Sequence, residues 1–271
     1  MARAPAKHKT VEKDLRQYLD LDVDQRRSDI VQRRTNFTAE IRKKDPTRAA
    51  ITFKSFIVQE RIVGLHLVAR GDAQGWISFD RFLFANWVAA RVDLPESGYP
   101  AATNLLHARS IGLEWMVRES AKKVASDLQT GFFANPTAPH RQRWRLPRFA
   151  LWIAERNVPP DAPYDLVTHA WRDPIALATA LTGVCEHHLS ETPWASKLVG
   201  AEFANYSTQP IEVWAVEKTR LLEGLSTPTV DHPLMRTAFA TRPPSRYDPS
   251  ADDDLQSLLH LLGIDIPTDS S

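Results

Sequence analysis

An all-α fold is predicted, a globular bundle of about ten helices. Three observations carry it. Apolar residues recur at three, four and seven along most of the 271 residues, and no segment alternates apolar with polar as a half-buried strand would. Gly is scarce at 10 residues while Pro reaches 19, which suits punctuation between helices better than tight hairpins. A chain of this length buries a real core whether it forms one large domain or two modest ones.

The elements follow in order. Between Asp22 and Asp45 a mostly charged segment keeps a thin apolar stripe of Ile30, Phe37 and Ile41. Its pairs Asp22/Arg26, Asp29/Arg33 and Glu40/Lys44 stand four apart with the acid first, the order that supports an exposed helix. Phe53, Phe56, Ile57, Val63 and Leu67 mark a second, more deeply buried helix. Ser78 is placed to cap a third, with Phe82, Leu83, Trp87, Ala90 and Leu94 on its inner face. Leu106, Leu113, Val117, Val124 and Leu128 continue the period along one long segment after Pro100.

The stretch Asn135 to Pro147 has no apolar period and reads as a connection rich in Pro and Arg. It divides the expected organisation into a basic helical region at 1–134, the connection at 135–147 and an acidic helical region at 148–271, packed as one unit. Helical patterning resumes at Phe149–Glu155 and at Asp165–Trp171. Pro174–Leu189 then aligns Leu177, Ala178, Leu181, Val184, Cys185 and His188, with the Pro suited to the helix start. In the next helix, which stops at Gly224, Ile211, Trp214, Ala215, Leu221, Leu222 and Leu225 form the inner stripe. Glu212, Arg220 and Glu223 point away from it. A last helix follows Asp252, Asp253 and Asp254 and buries Leu255, Leu258, Leu259 and Leu262.

Charge is distributed unevenly along the chain. Residues 1–150 hold 26 Lys and Arg against 16 Asp and Glu, a balance of +10, and residues 151–271 hold 8 against 17, a balance of −9. Such an asymmetry steers a basic partner to one half or nucleic acid to the other, unless the halves pair within the fold. The single cysteine, Cys185, excludes an internal disulfide and suits a reducing compartment. No secretory pattern opens the sequence and no apolar run reaches membrane-spanning length, so the cytoplasm is the expected location.

Candidate chemistry is thin. Cys185, Glu186, His187, His188 and Glu191 form the densest polar group, with His187 and Glu191 four apart as two metal ligands can be. No second cluster completes a site, and core packing is the preferred reading. Asp20, Asp22 and Asp24 resemble the start of a calcium loop, but Gln25 and Val31 stand where that loop needs Gly and Glu. No nucleophile elbow, phosphate-binding loop, dinucleotide fingerprint or zinc-protease motif is present. Asp231 and His232 are adjacent and badly placed to share one reacting atom; Asp231 reads as a helix cap and Pro233 as the first helical residue. No enzyme activity, cofactor or metal is therefore expected. Arg141, Arg143, Trp144, Arg145 and Arg148 offer cations beside one aromatic ring, the basis for an alternative as a nucleic-acid-binding regulator that uses the basic N-terminal half.

The segment Ile211–Leu225, followed by Thr229, Val230, Asp231, His232, Pro233, Leu234 and Met235, a Pro-rich bend and a short acidic-capped helix, resembles the end of the immunity 49 family. The likeness covers about the last quarter of the chain. It implies an intracellular, all-helical protein that binds and neutralises a toxin, often a nuclease, delivered by type VI or related contact-dependent secretion. On that reading an acidic surface meets a basic toxin and occludes its active or substrate site. Glu212, Glu217, Glu223, Asp248 and Asp252 are the expected contact residues.

Overall fold

A computed structural model describes residues 5–92, 101–132, 144–192, 203 and 205–267, and for 5–10 and 14 the backbone alone. The fold is all-α: among the described residues there are eleven α-helices, two short 3₁₀ turns and no strand. The helices are α1 (Pro5–Leu19), α2 (Val23–Lys43), α3 (Pro46–Ala69), α4 (Gly75–Arg91), α5 (Ala101–Ile111), α6 (Glu114–Gln129), α7 (Leu146–Glu155), α8 (Asp165–His169), α9 (Pro174–Ser190), α10 (Ile211–Leu222) and α11 (Asp253–Leu262). Among the described residues no helix is long and apolar enough to cross a membrane.

The chain packs as two compact units, and their boundaries are not those of the sequence pattern. One unit holds residues 1–15 and 100–242; the other holds 16–99 and 243–271. The expected division at 135–147 is thereby corrected. Leu146 and Pro147 already belong to α7, and Arg141 and Arg143 lie outside the described residues. The charge asymmetry dissolves with it. The first unit carries 19 Lys and Arg against 16 Asp and Glu, a balance of +3, and the second 15 against 17, a balance of −2. The acidic half of the sequence is not an acidic half of the molecule, because residues 243–271 join the basic early helices.

In the unit built from 16–99 and 243–271, α3 packs between α2 and α4, with α11 against α2 and α3. Local chemistry fixes where these helices start and stop. Asp22 accepts a hydrogen bond from the Gln25 backbone, and Asp45 accepts one from Arg48 with Pro46 at the first position. Phe37, Phe53 and Phe56 meet at centroid distances of 5.3–5.6 Å to form the aromatic centre. The exposed i, i+4 pairs expected along α2 do not form. Arg26 instead donates to Gln59 of α3 at 2.5 Å and Arg33 to Ser55, so these long side chains tie two helices together. Ser78 is not a cap, since α4 begins at Gly75.

The crossing of α3 and α4 demands glycine at the start of α4. Gly64 of α3 and Gly75 of α4 lie backbone to backbone, and a Cβ built on Gly75 falls 2.0 Å from the Gly64 carbonyl oxygen. Backbone cannot swing aside as a side chain can. Gly75→Ala is therefore expected to cost about 1–3 kcal/mol by forcing α3 and α4 apart. Urea denaturation of wild type and variant measures it, and equal midpoints would mean that the crossing relaxes freely.

In the other unit, α5 is covered by α6, α7 and α10, and α9 packs against α8 and α10. The long helix expected after Pro100 is two helices. Gly112, at φ +80°, takes the left-handed turn that ends α5 and lets α6 fold back beside it. Asp173 caps α9 by accepting from the Ile175 and Ala176 backbones, with Pro174 at the first position. Gly224, at φ +69°, follows the end of α10. His232, not Asp231, caps the 3₁₀ turn Pro233–Arg236: its Nδ1 accepts from the Leu234 N–H at 3.1 Å, while Asp231 turns out to Arg236.

Candidate functional site

Helix α10 decides the fate of the expected contact residues. Packed against α5, α7 and α9, it buries every residue from Ile211 to Val216, so its inner arc is wider than a single apolar stripe. Glu212 is 1% exposed rather than outward, and Arg220 is equally buried. Leu221 and Leu222, expected inside, are 62% and 57% exposed at the helix end. Asp252 is likewise internal to its own unit, caught by Arg81 and Tyr247 and capping α11 through the Leu255 N–H. Asp248 is exposed but caps the turn Pro249–Ala251 by accepting from the Ser250 backbone. Glu217 is half-buried with no hydrogen-bond partner among the described residues. Glu223 lines a concave surface.

That surface is a cleft of about 550 Å³ lined by Trp152, Arg156, Thr168, Trp171, Arg172 and Glu223. Arg156 ends α7 in the left-handed conformation, φ +60°, which turns its side chain back over the helix. Its guanidinium carbon then lies 4.0 Å from the Trp152 ring centroid and 4.1 Å from that of Trp171. The two indoles meet edge to face at 5.0 Å. Glu223 closes the arrangement with both oxygens: Oε1 accepts from Arg156 Nη2 at 2.7 Å and Oε2 from the Trp171 indole N–H at 2.7 Å. Partial burial alone would raise the Glu223 carboxyl, but the Arg156 and Trp171 hydrogen bonds outweigh it and hold the group below the usual carboxylate range. Arg220 supports Trp171 from within, donating to the Trp171 and Ser226 carbonyl oxygens.

The rim is apolar. Among the described residues the exposed large hydrophobic side chains of this unit are Leu166, Ile175, Leu221 and Leu222, and each stands within three residues in sequence of a cleft-lining residue. Leu166 precedes Thr168, Ile175 follows Arg172, and the two leucines lead into Glu223. Rigid Trp and Arg side chains with exposed aliphatic residues nearby in the chain have the composition of a protein-binding hot spot. Sequence reasoning missed this site because its parts come from α7, α8 and the end of α10. The local signal was Trp152 four residues before Arg156.

The His188–Glu212 pair of this unit is internal. His188 directs Nδ1 to Glu212 Oε2 and Nε2 to the Tyr206 carbonyl, each at 2.8 Å, while Tyr164 donates to Glu212 Oε1 at 3.4 Å. With both ring nitrogens engaged and no exposed atom, this pair organises the core around α9 and α10 and meets no solute. The Cys185 thiol beside it is pushed up by burial and then by the nearby glutamates. Among the described residues no group of three His, Cys, Asp or Glu converges as metal ligands.

Glu217 supplies a pH-dependent test. Burial without compensation pushes its carboxyl up to about 7. The folded state therefore holds this proton more tightly than the unfolded chain, and stability falls as pH rises from the ordinary value near 4.5 to about 7. Glu217→Gln is expected to stabilise the protein by about 1–3 kcal/mol at pH 8 and to be nearly neutral at pH 4. Denaturation at the two pH values checks this, and an identical difference at both would refute it.

No protein-family model, curated protein or solved structure matches the chain.

Proposed function

We propose that the chain is a binding protein of the immunity type, which docks on an antibacterial toxin through the Trp152–Trp171 cleft and its aliphatic rim and neutralises it by occlusion. The likeness of the last quarter of the sequence to the immunity 49 family supplies the biological setting. The observation that carries the docking surface is that, among the described residues of this unit, every exposed large apolar side chain stands within three residues in sequence of one that lines the cleft. Burial of such a rim around fixed Trp and Arg anchors gives the slow dissociation that a neutralising partner needs. The nucleic-acid alternative loses one support, and the cleft gives it no new one. Its basic half is not a spatial half, and the faces of Trp152 and Trp171 that the cleft would offer to a base are occupied by Arg156.

The test is a contact-dependent killing assay in the bacterium that carries the gene. A deletion strain is expected to be killed by its parent and protected by a plasmid copy of the wild type. The double variant Leu221→Asp/Leu222→Asp, at positions already in water, is expected to fold and to lose protection. Survival of the deletion strain beside its parent would overturn the immunity reading.

A further inference from the structure

We infer that the cleft receives a carboxylate of its protein partner, an Asp or Glu side chain flanked by aliphatic residues, with Arg172 as the receiving cation. This rests on the docking reading above and specifies its chemistry. The argument is one of charge balance at a single place. Arg172 lies close enough to Arg156, Arg220 and Glu223 to act on each electrostatically, while Arg109, which also acts on Arg156, is paired with Glu114. Glu223 is the one carboxylate lining the cleft, and both its oxygens are taken, one by Arg156 and the other by the Trp171 indole. Arg156 is further fixed between two indole rings. Arg220 is buried with its donors on backbone carbonyls, out of reach of any solute.

Arg172 is left. It is exposed, lines the cleft and has no ion-pair or hydrogen-bond partner among the described residues. Two cations, Arg156 and Arg172, against one carboxylate line the cleft and leave it with an excess positive charge beside two indoles. A guanidinium there presents a planar fork that a carboxylate matches with two parallel hydrogen bonds. Leu166, Ile175, Leu221 and Leu222, exposed and within three residues in sequence of the lining, would exclude water once a partner covers them, which strengthens the pair. The same aliphatic rim selects a carboxylate carried on a protein over a phosphate of a nucleic acid, since it offers no open ring on which a base stacks. The polarity is the reverse of the acidic docking face expected from the linear charge pattern. Here the chain supplies the cation.

The experiment follows the indole N–H resonances of the ¹⁵N-labelled full chain, with the Trp171 signal assigned by its loss in Trp171→Phe. The probes are a blocked pentapeptide with one Glu between leucines, the same peptide with Gln, and a short oligothymidine, each raised to concentrations on the order of millimolar. The Glu peptide is expected to shift the Trp171 signal in wild type and not in Arg172→Gln, while the Gln peptide leaves it unmoved. No shift with the Glu peptide, an equal shift with the Gln peptide, or a shift with the oligonucleotide alone would overturn the inference. In the killing assay Arg172→Glu is expected to weaken partner binding by about 30-fold or more, the loss that follows from truncating one side of a desolvated charge pair, and so to reduce protection. If Arg172→Glu protects fully while Leu221→Asp/Leu222→Asp does not, the carboxylate is refuted and the docking surface stands. If both protect fully, the docking surface itself is refuted.

Discussion

Arg81→Leu is expected to destabilise the unit formed by 16–99 and 243–271 by about 3–5 kcal/mol, the cost of leaving buried charges without their partner. Arg81 of α4 sits at the junction of α3 and the last segment of the chain. Its Nε and Nη2 hold the two oxygens of Asp252 at 2.6 and 2.7 Å, Nη1 holds Glu60 at 2.5 Å, and Nη2 also reaches Asp254 at 2.9 Å. The guanidinium lies over Phe53 and Phe56, and Tyr247 donates a further hydrogen bond to Asp252 at 2.6 Å. Without Arg81 three carboxylates face one another, with Arg34 on Asp254 as the remaining counter-ion.

The pH dependence gives this prediction a second readout. Burial would raise Asp252, but its Arg81 and Tyr247 hydrogen bonds hold the group below its ordinary value. Its contribution in wild type is thus present above the unfolded pKa and is lost as pH falls through the folded one. Glu60 is raised by burial despite Arg81, and removing the cation raises Glu60 further and releases Asp252 upward. The deficit of the variant should therefore shrink from pH 7 to pH 4 as those carboxylates take up protons. Urea denaturation at both pH values is the measurement, with limited proteolysis reporting early cleavage within 243–267. A loss below about 1 kcal/mol at pH 7 would place the network with ordinary surface ion pairs.

Helices were legible because their signals are local. Asp173–Pro174 at the start of α9, Gly224 after α10 and Asp252 before α11 act within a turn of where they stand, and the 3.6-residue period needs no knowledge of a partner. Faces were less legible. On α10 the stripe Ile211, Trp214 and Ala215 was correctly internal, but Glu212 was read as outward because a carboxylate is seldom buried without a partner. The partner exists, and it is His188, twenty-four residues earlier on another helix. Leu221 and Leu222 continued the apolar period past the last neighbour that covers it. The charge halves failed for a topological reason: 243–271 returns to pack beside α2 and α3, and no periodicity reports where a chain returns. The cleft was illegible for the same reason, since Trp152, Trp171 and Glu223 converge only after folding.

The second large effect belongs to that buried glutamate and decides how variants of the proposed docking surface are to be judged. Glu212→Ala is expected to cost about 3–5 kcal/mol. The Tyr206 carbonyl only accepts, so His188 Nε2 carries a proton; Nδ1 and Glu212 Oε2 then share one more proton between them. Truncation strands Nδ1 and the Tyr164 hydroxyl in a site closed to water and leaves a cavity beside the stacked rings of Phe149 and Tyr164, 4.3 Å apart. Glu212→Gln should cost less, about 1–2 kcal/mol, because its amide donates to neutral Nδ1 and its oxygen still accepts from Tyr164. Thermal and urea denaturation of the two variants test this ordering, and equal losses would mean that the proton count is wrong. The consequence for function is direct. A glutamate-to-lysine change at 212 abolishes protection by unfolding the scaffold, whereas Leu221→Asp/Leu222→Asp and Arg172→Glu alter side chains already in water and should leave the melting curve in place. Only a loss of protection with an unchanged curve locates the partner.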